Sequence, residues 1–365
     1  MQQIIPLYGL ALLAGAFFTA CSSELPEDMP AETEQTASVS FQISRAAEAG
    51  DADRSLRRLY AAARSLDHAS ASDGGLYSDP DLRPFATSNP FQVNGLKLQW
   101  YKFSLVQVPH LVGNDGTLDG RQLFSDLRSD ASAEEKLTRD FSGLLIDYTD
   151  VLKLQEQDHA SSLNYDLHLY RAVVSRWMTR QEEGKEAPQQ HLKLKRITGQ
   201  LELNMGILPD QFEHRVKKIV IRARLPRRVY ISDSQLEDGA GEVKVDNTTQ
   251  IMRSYEYQVP DVQSNPAATD TCKLTMALLP CQLDATLRVY CTTQDGREEV
   301  QEFTLQSESS QAAVQIKPNV RTTVLFNGMY RHEFEVRYAG FPGSSIDVDE
   351  DEWNGGWPEN GTVIS

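Results

Sequence analysis

Cysteine and histidine are the side chains here best suited to nucleophilic or metal chemistry, so their spacing comes first. Cys272, Cys281 and Cys291 crowd one short region of the 365-residue chain. An odd set of thiols cannot all pair within one chain. If Lys273–Leu279 and Leu283–Cys291 form a tight hairpin turning near Cys281-Gln282, Cys272 and Cys291 fall opposite each other. A cross-strand disulfide is then feasible and leaves Cys281 at the turn; three reduced, half-buried thiols are the alternative. His68, His110, His159, His168, His191, His214 and His332 show no HxH or HExxH spacing. A tetrahedral metal site needs several N or S ligands converging, and nothing local supplies them. Each histidine is therefore expected on the surface or in a loop, and no metal is expected. There is no G-x-S-x-G elbow and no P-loop, and Gly113, Gly116 and Gly120 do not form a dinucleotide fingerprint. Asp347-Val348-Asp349-Glu350-Asp351 lacks the turn glycine of a calcium loop and reads as a solvated acidic tail. Paired carboxylates could serve glycoside hydrolysis, but with 52 acidic residues no two can be nominated. These motifs predict no catalytic residues, no cofactor and no enzyme.

The remaining thiol, Cys21, has a more specific setting. Ile4 to Ala20 is apolar and uncharged, is too short and Gly/Ala-rich for a comfortable membrane span, and ends in small residues. That is the form of a secretory signal peptide. Phe18-Thr19-Ala20-Cys21 resembles the bacterial lipobox, whose cysteine becomes the lipidated first residue of the mature protein. Phe18 stands where leucine is usual, and Met1-Gln2-Gln3 supplies no Lys or Arg. An ordinary signal peptide with a chance cysteine is the alternative; the cysteine's place at the expected cleavage point favours lipidation. One acyl chain anchors only marginally, whereas a multiply acylated cysteine holds firmly.

The elements that would carry such an anchor follow in order. Net charge is −16, which argues against a nucleic-acid or anionic-membrane binder. After Cys21 no apolar segment approaches the roughly 20 residues of a membrane helix. Ser22 to Thr36 is acidic, contains proline and reads as a solvated tether. Val39, Phe41 and Ile43 then alternate with polar residues, the pattern of a strand with one buried face. Leu96 to Pro109 reads as a two-sided strand, Leu144–Leu154 and Leu167–Met178 as further strands, and 181–190 as a polar hairpin or linker. Asp130 to Glu134 suits a short helix. From His191 onward, short strands recur between turn signals such as Asp295-Gly296 and Pro318-Asn319. Val216–Leu225, Val229–Ser232 and Tyr255–Val259 are among them. This predicts an all-β sandwich architecture with no βαβ rhythm. The expected division is 1–20 signal peptide, 21–36 tether, 37–190 and 191–345 two β-domains, and 346–365 an acidic tail with Trp353 and Trp357.

Several stretches together resemble one family. Leu194 to Leu203 (LKRITGQLEL) is similar to the strand that opens the C-terminal domain of Bacteroidales fimbrillin-type proteins. Tyr101 to Pro109 (YKFSLVQVP) resembles their strand ending in proline, Ile316 to Val324 (IKPNVRTTV) their late hairpin, and Asp351-Glu352-Trp353-Asn354 their Trp-containing end. With a lipobox, tether and first strand, the layout resembles the lipid-anchored anchor and minor-subunit branch. The resemblance implies two transthyretin-like β-sandwich domains in tandem, and assembly by β-strand addition at the outer membrane. It implies fimbrial stalk subunits as partners, outer-membrane attachment through lipid, and a host or bacterial surface ligand; nucleic acid is not among them. In stalk subunits of that family an Arg-specific protease removes the first strand. Arg45, directly after Val39, Phe41 and Ile43, is the position that would match, with Arg54 second; in an anchor the strand is kept, and retention is the favoured expectation here. A surface glycan-binding lipoprotein, using Trp100, Trp177, Trp353 and Trp357, is the second reading.

Overall fold

The computed structural model describes residues 36–45, 57–66, 74–78, 90–109, 112–113, 116–117, 144–157, 167–180, 185–204, 214–233, 235–239, 241–258, 273–293, 295–305, 313–326 and 334–341. Cys21, Arg54, Cys272, Trp353, Trp357 and the short helix expected near residue 130 lie outside them. From Thr36 onward these residues belong to one compact unit. Nearly all are strand, as the alternating patterns predict. In chain order the first strands are β1 (Ala37–Arg45), β2 (Arg57–Ser65), β3 (Gly74–Ser78), β4 (Phe91–Leu96), β5 (Trp100–Pro109), β6 (Val112–Gly113), β7 (Gly116–Thr117) and β8 (Leu144–Asp147). One helix, α1 (Thr149–Gln157), precedes β9 (Tyr170–Trp177), β10 (Gln189–Arg196), β11 (Gly199–Asn204), β12 (His214–Ser232) and β13 (Val245–Gln258). The remainder are β14 (Lys273–Leu278), β15 (Cys281–Thr293), β16 (Glu298–Thr304), β17 (Val314–Ile316), β18 (Val320–Phe326) and β19 (Phe334–Gly340).

The first seven-stranded path runs β3-β2-β5-β9-β10-β1-β4. β10 makes it fold over. Gln189 to Leu194 pair in parallel with β1, whereas Lys195 and Arg196 pair with β9. The two layers enclose a core of Val39, Phe41, Phe91, Val93, Tyr101, Phe103, Leu105 and Leu194. β5 has two buried faces because Val106 and Val108, on its other side, enter the second core. That is the physical basis of its two-sided sequence pattern.

The second core lies between a six-stranded sheet, whose main path is β13-β12-β15-β16, and the four-stranded path β14-β11-β18-β19. Ile219, Ile221 and Leu225 of β12 share it with Leu201 and Leu203 of β11 and with Met276 and Leu278 of β14. The strand β10, which crosses the boundary expected between residues 190 and 191, is paired in the first sheet.

Four sequence expectations need correction. Leu144–Leu154 is not one strand: β8 stops at Asp147 and α1 follows. The Asp147 carboxylate accepts the Thr149 amide proton at 3.0 Å, Asp150 sits in the first turn, and Val151 and Leu152 turn inward. The hairpin proposed for the cysteine region does not form. β14 pairs with β11 and β15 with β12, so the chain crosses between sheets at Leu279-Pro280. The register that set Cys272 opposite Cys291 goes with it. Val216–Leu225 and Val229–Ser232 are one strand, β12, which passes Pro226 by an irregularity in register before Arg228. The expected strand at Tyr255–Val259 is the end of a longer one, β13, whose polar start hides its length.

Candidate functional site

The candidate site is β1 and the slot that holds it. Sequence alternation predicts one buried face, and the structure supplies the walls. β1 lies between β10, parallel, with Ser40 opposite Gln189 and Arg45 opposite Leu194, and β4, antiparallel, with Val39 opposite Val93 and Phe41 opposite Phe91. Among the described residues β4 pairs only with β1. Val39 and Phe41 are fully buried, Ile43 is half-buried against the same core, and Ser44 is exposed. Burying side chains of this size is worth roughly 1.5–3 kcal/mol each. The Ser40 amide donates to the Pro188 carbonyl at 3.0 Å, and Gln189 Nε2 donates to Gln42 Oε1 at 2.7 Å. Arg45 is the last residue of β1.

Without β1, β10 and β4 would each present an unpaired edge over an apolar trough. Backbone groups in such a slot give affinity, and alternate side chains set register. The site's chemistry is therefore one of strand pairing and apolar fit.

The two described thiols are shielded from solvent to different degrees. Burial pushes Cys281 up to about 12, and burial together with the Glu299 charge pushes Cys291 up to about 11. The thiolate is the nucleophile and metal ligand, so neither sulfur is poised for reaction near neutral pH. Among the described residues no three His, Cys, Asp or Glu lie close enough together to hold a metal ion.

Some functional geometry is invisible in the sequence. The sequence assigns 181–190 to a hairpin or linker and strand from His191, yet β10 begins at Gln189 and is the parallel partner that walls the slot. Arg171 of β9 is completely buried and its guanidinium donates to the carbonyls of Tyr230 (3.0 Å) and Glu242 (2.8 Å). Burial lowers its pKa to about 10, still charged at neutral pH. His168, expected on the surface or in a loop, lies in the irregular segment before β9 and is buried there, with Nδ1 2.8 Å from Thr198 Oγ1 and its ring edge-on to Phe341. The Arg196 guanidinium lies over the Phe341 ring, 3.4 Å from its centroid. Only the pairing makes these roles readable; an isolated Arg or His in an alternating strand carries no such signal.

Fold and site together define an all-β protein in which the first strand is an interior element of a folded-over sheet. Solved structures with a similar chain arrangement include the fimbrial anchor protein Mfa2 from Porphyromonas gingivalis, at 12% identity and TM-score 0.39, covering 83% of this chain and 98% of that one. A candidate cell adhesion protein from Bacteroides eggerthii is similar at 10% identity and TM-score 0.48, covering 84% and 96%. A fimbrial assembly protein from Parabacteroides distasonis is similar at 12% identity and TM-score 0.35, covering 84% and 95%. No family model and no curated protein matches the chain. At such identities and TM-scores the likeness transfers no residue role.

Proposed function

We propose that this chain is a structural component of cell-surface fimbriae, an anchor or minor subunit that joins its neighbours by β-strand addition. The observation that carries this reading is the position of β1. It is an N-terminal strand seated inside a sheet, parallel to β10, with Val39 and Phe41 filling the core. Such a strand can be kept, closing the slot, or replaced by the strand of another subunit.

The reading places lipid on Cys21, the acidic tether at 21–36, and the two expected β-domains at 37–190 and 191–345 on one continuous chain. Lipid, tether and β1 are then covalently joined, so cleavage after Arg45 would release lipid and first strand together. Retention of both makes the subunit an outer-membrane anchor. Its partners are fimbrial stalk subunits.

The test is the mature N-terminus on cells, together with assembly. The expected outcome is a lipidated Cys21 joined to intact β1 and co-purification with a fimbrial stalk. A chain starting at Ala46 would instead mean a cleaved, polymerising subunit. A protein found only as a monomer, with normal fimbriae after its deletion, would overturn the proposal.

A further inference from the structure

The described residues expose five large hydrophobic side chains, and three of them share one row. Trp100 of β5 stands directly opposite Trp177 of β9. Leu66 extends β2 by one residue, its amide donating to the Trp100 carbonyl at 2.9 Å. Residues directly opposite each other on antiparallel strands point to the same face. Leu66, Trp100 and Trp177 therefore form a cross-strand row at the end of the sheet, and they are 41%, 45% and 44% exposed. The two indoles meet at 5.9 Å with planes 64° apart, which shapes a corner.

Beside that corner is a fixed carboxylate. Ser175 lies two residues before Trp177 on the same strand, so it shares the face at a spacing of about 7 Å. Its amide and its hydroxyl donate to the two oxygens of Asp238, both at 3.0 Å. Asp238 itself is exposed, and each oxygen keeps acceptor capacity. Its loop is tied down by Lys102, whose ammonium donates to the Leu236 carbonyl at 2.5 Å.

We propose that the Trp100–Trp177 corner and Asp238 form a binding site for a neutral pyranose ring of a surface carbohydrate. The apolar C–H face of the ring lies on an indole, and a ring hydroxyl donates to the Asp238 carboxylate. The occupant follows from size and charge. Aromatic side chains carry about 150–250 Å² each, so at these exposures the row offers roughly 200–300 Å² against about 800 Å² per partner in a standard protein interface. That is too small for a second copy or a folded partner, and it suits one or two sugar rings. Arg64 and Lys102, opposite each other one step along the same face, balance the exposed carboxylates of Glu237 and Asp238, so the site has no net charge to draw an ionic sugar and the ligand is neutral. This site is independent of strand addition, since none of its residues belongs to β1, β4 or β10.

The experiment is titration calorimetry of the full chain against methyl glycosides of glucose, galactose, mannose, fucose and N-acetylglucosamine, with glucuronic and galacturonic acid alongside. Saturable binding of at least one neutral glycoside and of neither uronic acid is expected. Trp177→Ala should weaken it by about ten-fold or more, the loss typical of an aromatic anchor, and Asp238→Asn should weaken it too. Thermal melting checks each variant's fold; if Trp177→Ala melts early, Trp100→Phe and Asp238→Asn carry the test. No saturable binding of any neutral glycoside, or unchanged affinity in these variants, overturns the proposal. So does a concentration-dependent dimer that Trp177→Ala abolishes, which would assign the row to a second copy.

Discussion

The ring of Phe41 on β1 meets the ring of Phe103 on β5 edge-on, with centroids 5.2 Å apart. The two strands are not neighbours in the sheet path; they face each other because β10 carries the sheet over into a second layer. Phe41 thus couples the first strand to the opposite layer. Phe41→Ala should cost about 3–5 kcal/mol, the range for truncating a buried aromatic side chain. Ser44→Ala, on the exposed side of the same strand, should stay within about 0.5 kcal/mol. Urea unfolding of both variants measures the contrast, and equal effects would place β1 outside the core.

The slot should also be refillable. A chain beginning at Ala46 lacks β1 and leaves the trough of Val93, Phe103 and Leu194 open. It should melt lower than the longer chain and bind a hydrophobic dye. A synthetic peptide with the sequence of Ala37–Arg45 should raise its melting temperature in a concentration-dependent way, since a ligand that binds only the folded state stabilises it. The same peptide carrying Phe41→Asp should not.

The first strand was legible because its period of two is clean and only one face is apolar: Val39, Phe41 and Ile43 against Ser38, Ser40 and Gln42. Its partner was not, because β10 begins with Gln189-Gln190-His191, polar residues on a half-exposed strand. Parallel pairing across nearly 150 residues leaves no local mark. The helix α1 was missed for a different reason. Leu144 to Leu154 is too short a run for period to separate strand from helix, and Gln155, which bonds both the carbonyl and the amide of Ala277, has no distinguishing sequence signal. In the cysteine region the turn expected near Cys281-Gln282 is strand instead, and Pro280 marks the crossing from one sheet to the other. The Trp100–Trp177 pair needed the register of β5 and β9, which sequence does not supply.

Arg171 holds the first sheet to the segment around Gly241 and Glu242. Its bonds go to backbone carbonyls, which no side-chain change elsewhere can restore. Arg171→Met should destabilise by about 3 kcal/mol, the scale of a charge-assisted hydrogen bond lost inside the protein. Arg171→Lys should not rescue it, because an ammonium cannot reproduce the planar fork. Denaturant melts of the two variants decide this; wild-type stability in either would mean that the carbonyls find other donors.

Asp233 sits beneath the same segment. Burial opposes its ionisation, but the Gln235 amide and the Lys244 ammonium, 2.7 Å away, outweigh it and hold the carboxyl below its ordinary 3.8. A carboxylate with a depressed folded-state pKa stabilises the fold above the unfolded value. That contribution is lost as pH falls through the folded value. The wild-type chain should therefore lose stability below about pH 4 more steeply than Asp233→Asn, compared as change with pH rather than as absolute stability. Parallel curves would show that Asp233 is not linked to folding.

Cys281 gives the opposite pH signature. Its thiol is pushed from 9.0 to about 12 by burial alone, where β15 begins and pairs with β17. Below pH 9 the thiol is protonated in both folded and unfolded chains, so the pH-dependent stabilisation is fully present. As pH rises past 9 the unfolded chain ionises first, and stability falls until the folded thiol also titrates near 12. Cys281→Ala removes this slope, at the cost of a small packing loss that does not depend on pH. Stability measured by urea at several pH values between 8 and 11 should fall for the wild-type chain more than for Cys281→Ala. Cys291, raised by burial and the Glu299 charge to about 11, adds a second, shallower contribution, so the double variant should be flatter still. Thiol labelling supplies an independent check: at pH 8 Cys281 should react with an alkylating reagent far more slowly in the folded chain than in urea. Rapid labelling of the native protein would mean that the start of β15 opens readily, and the pairing of Cys281 with Ile316 would then be a marginal contact rather than part of the second core.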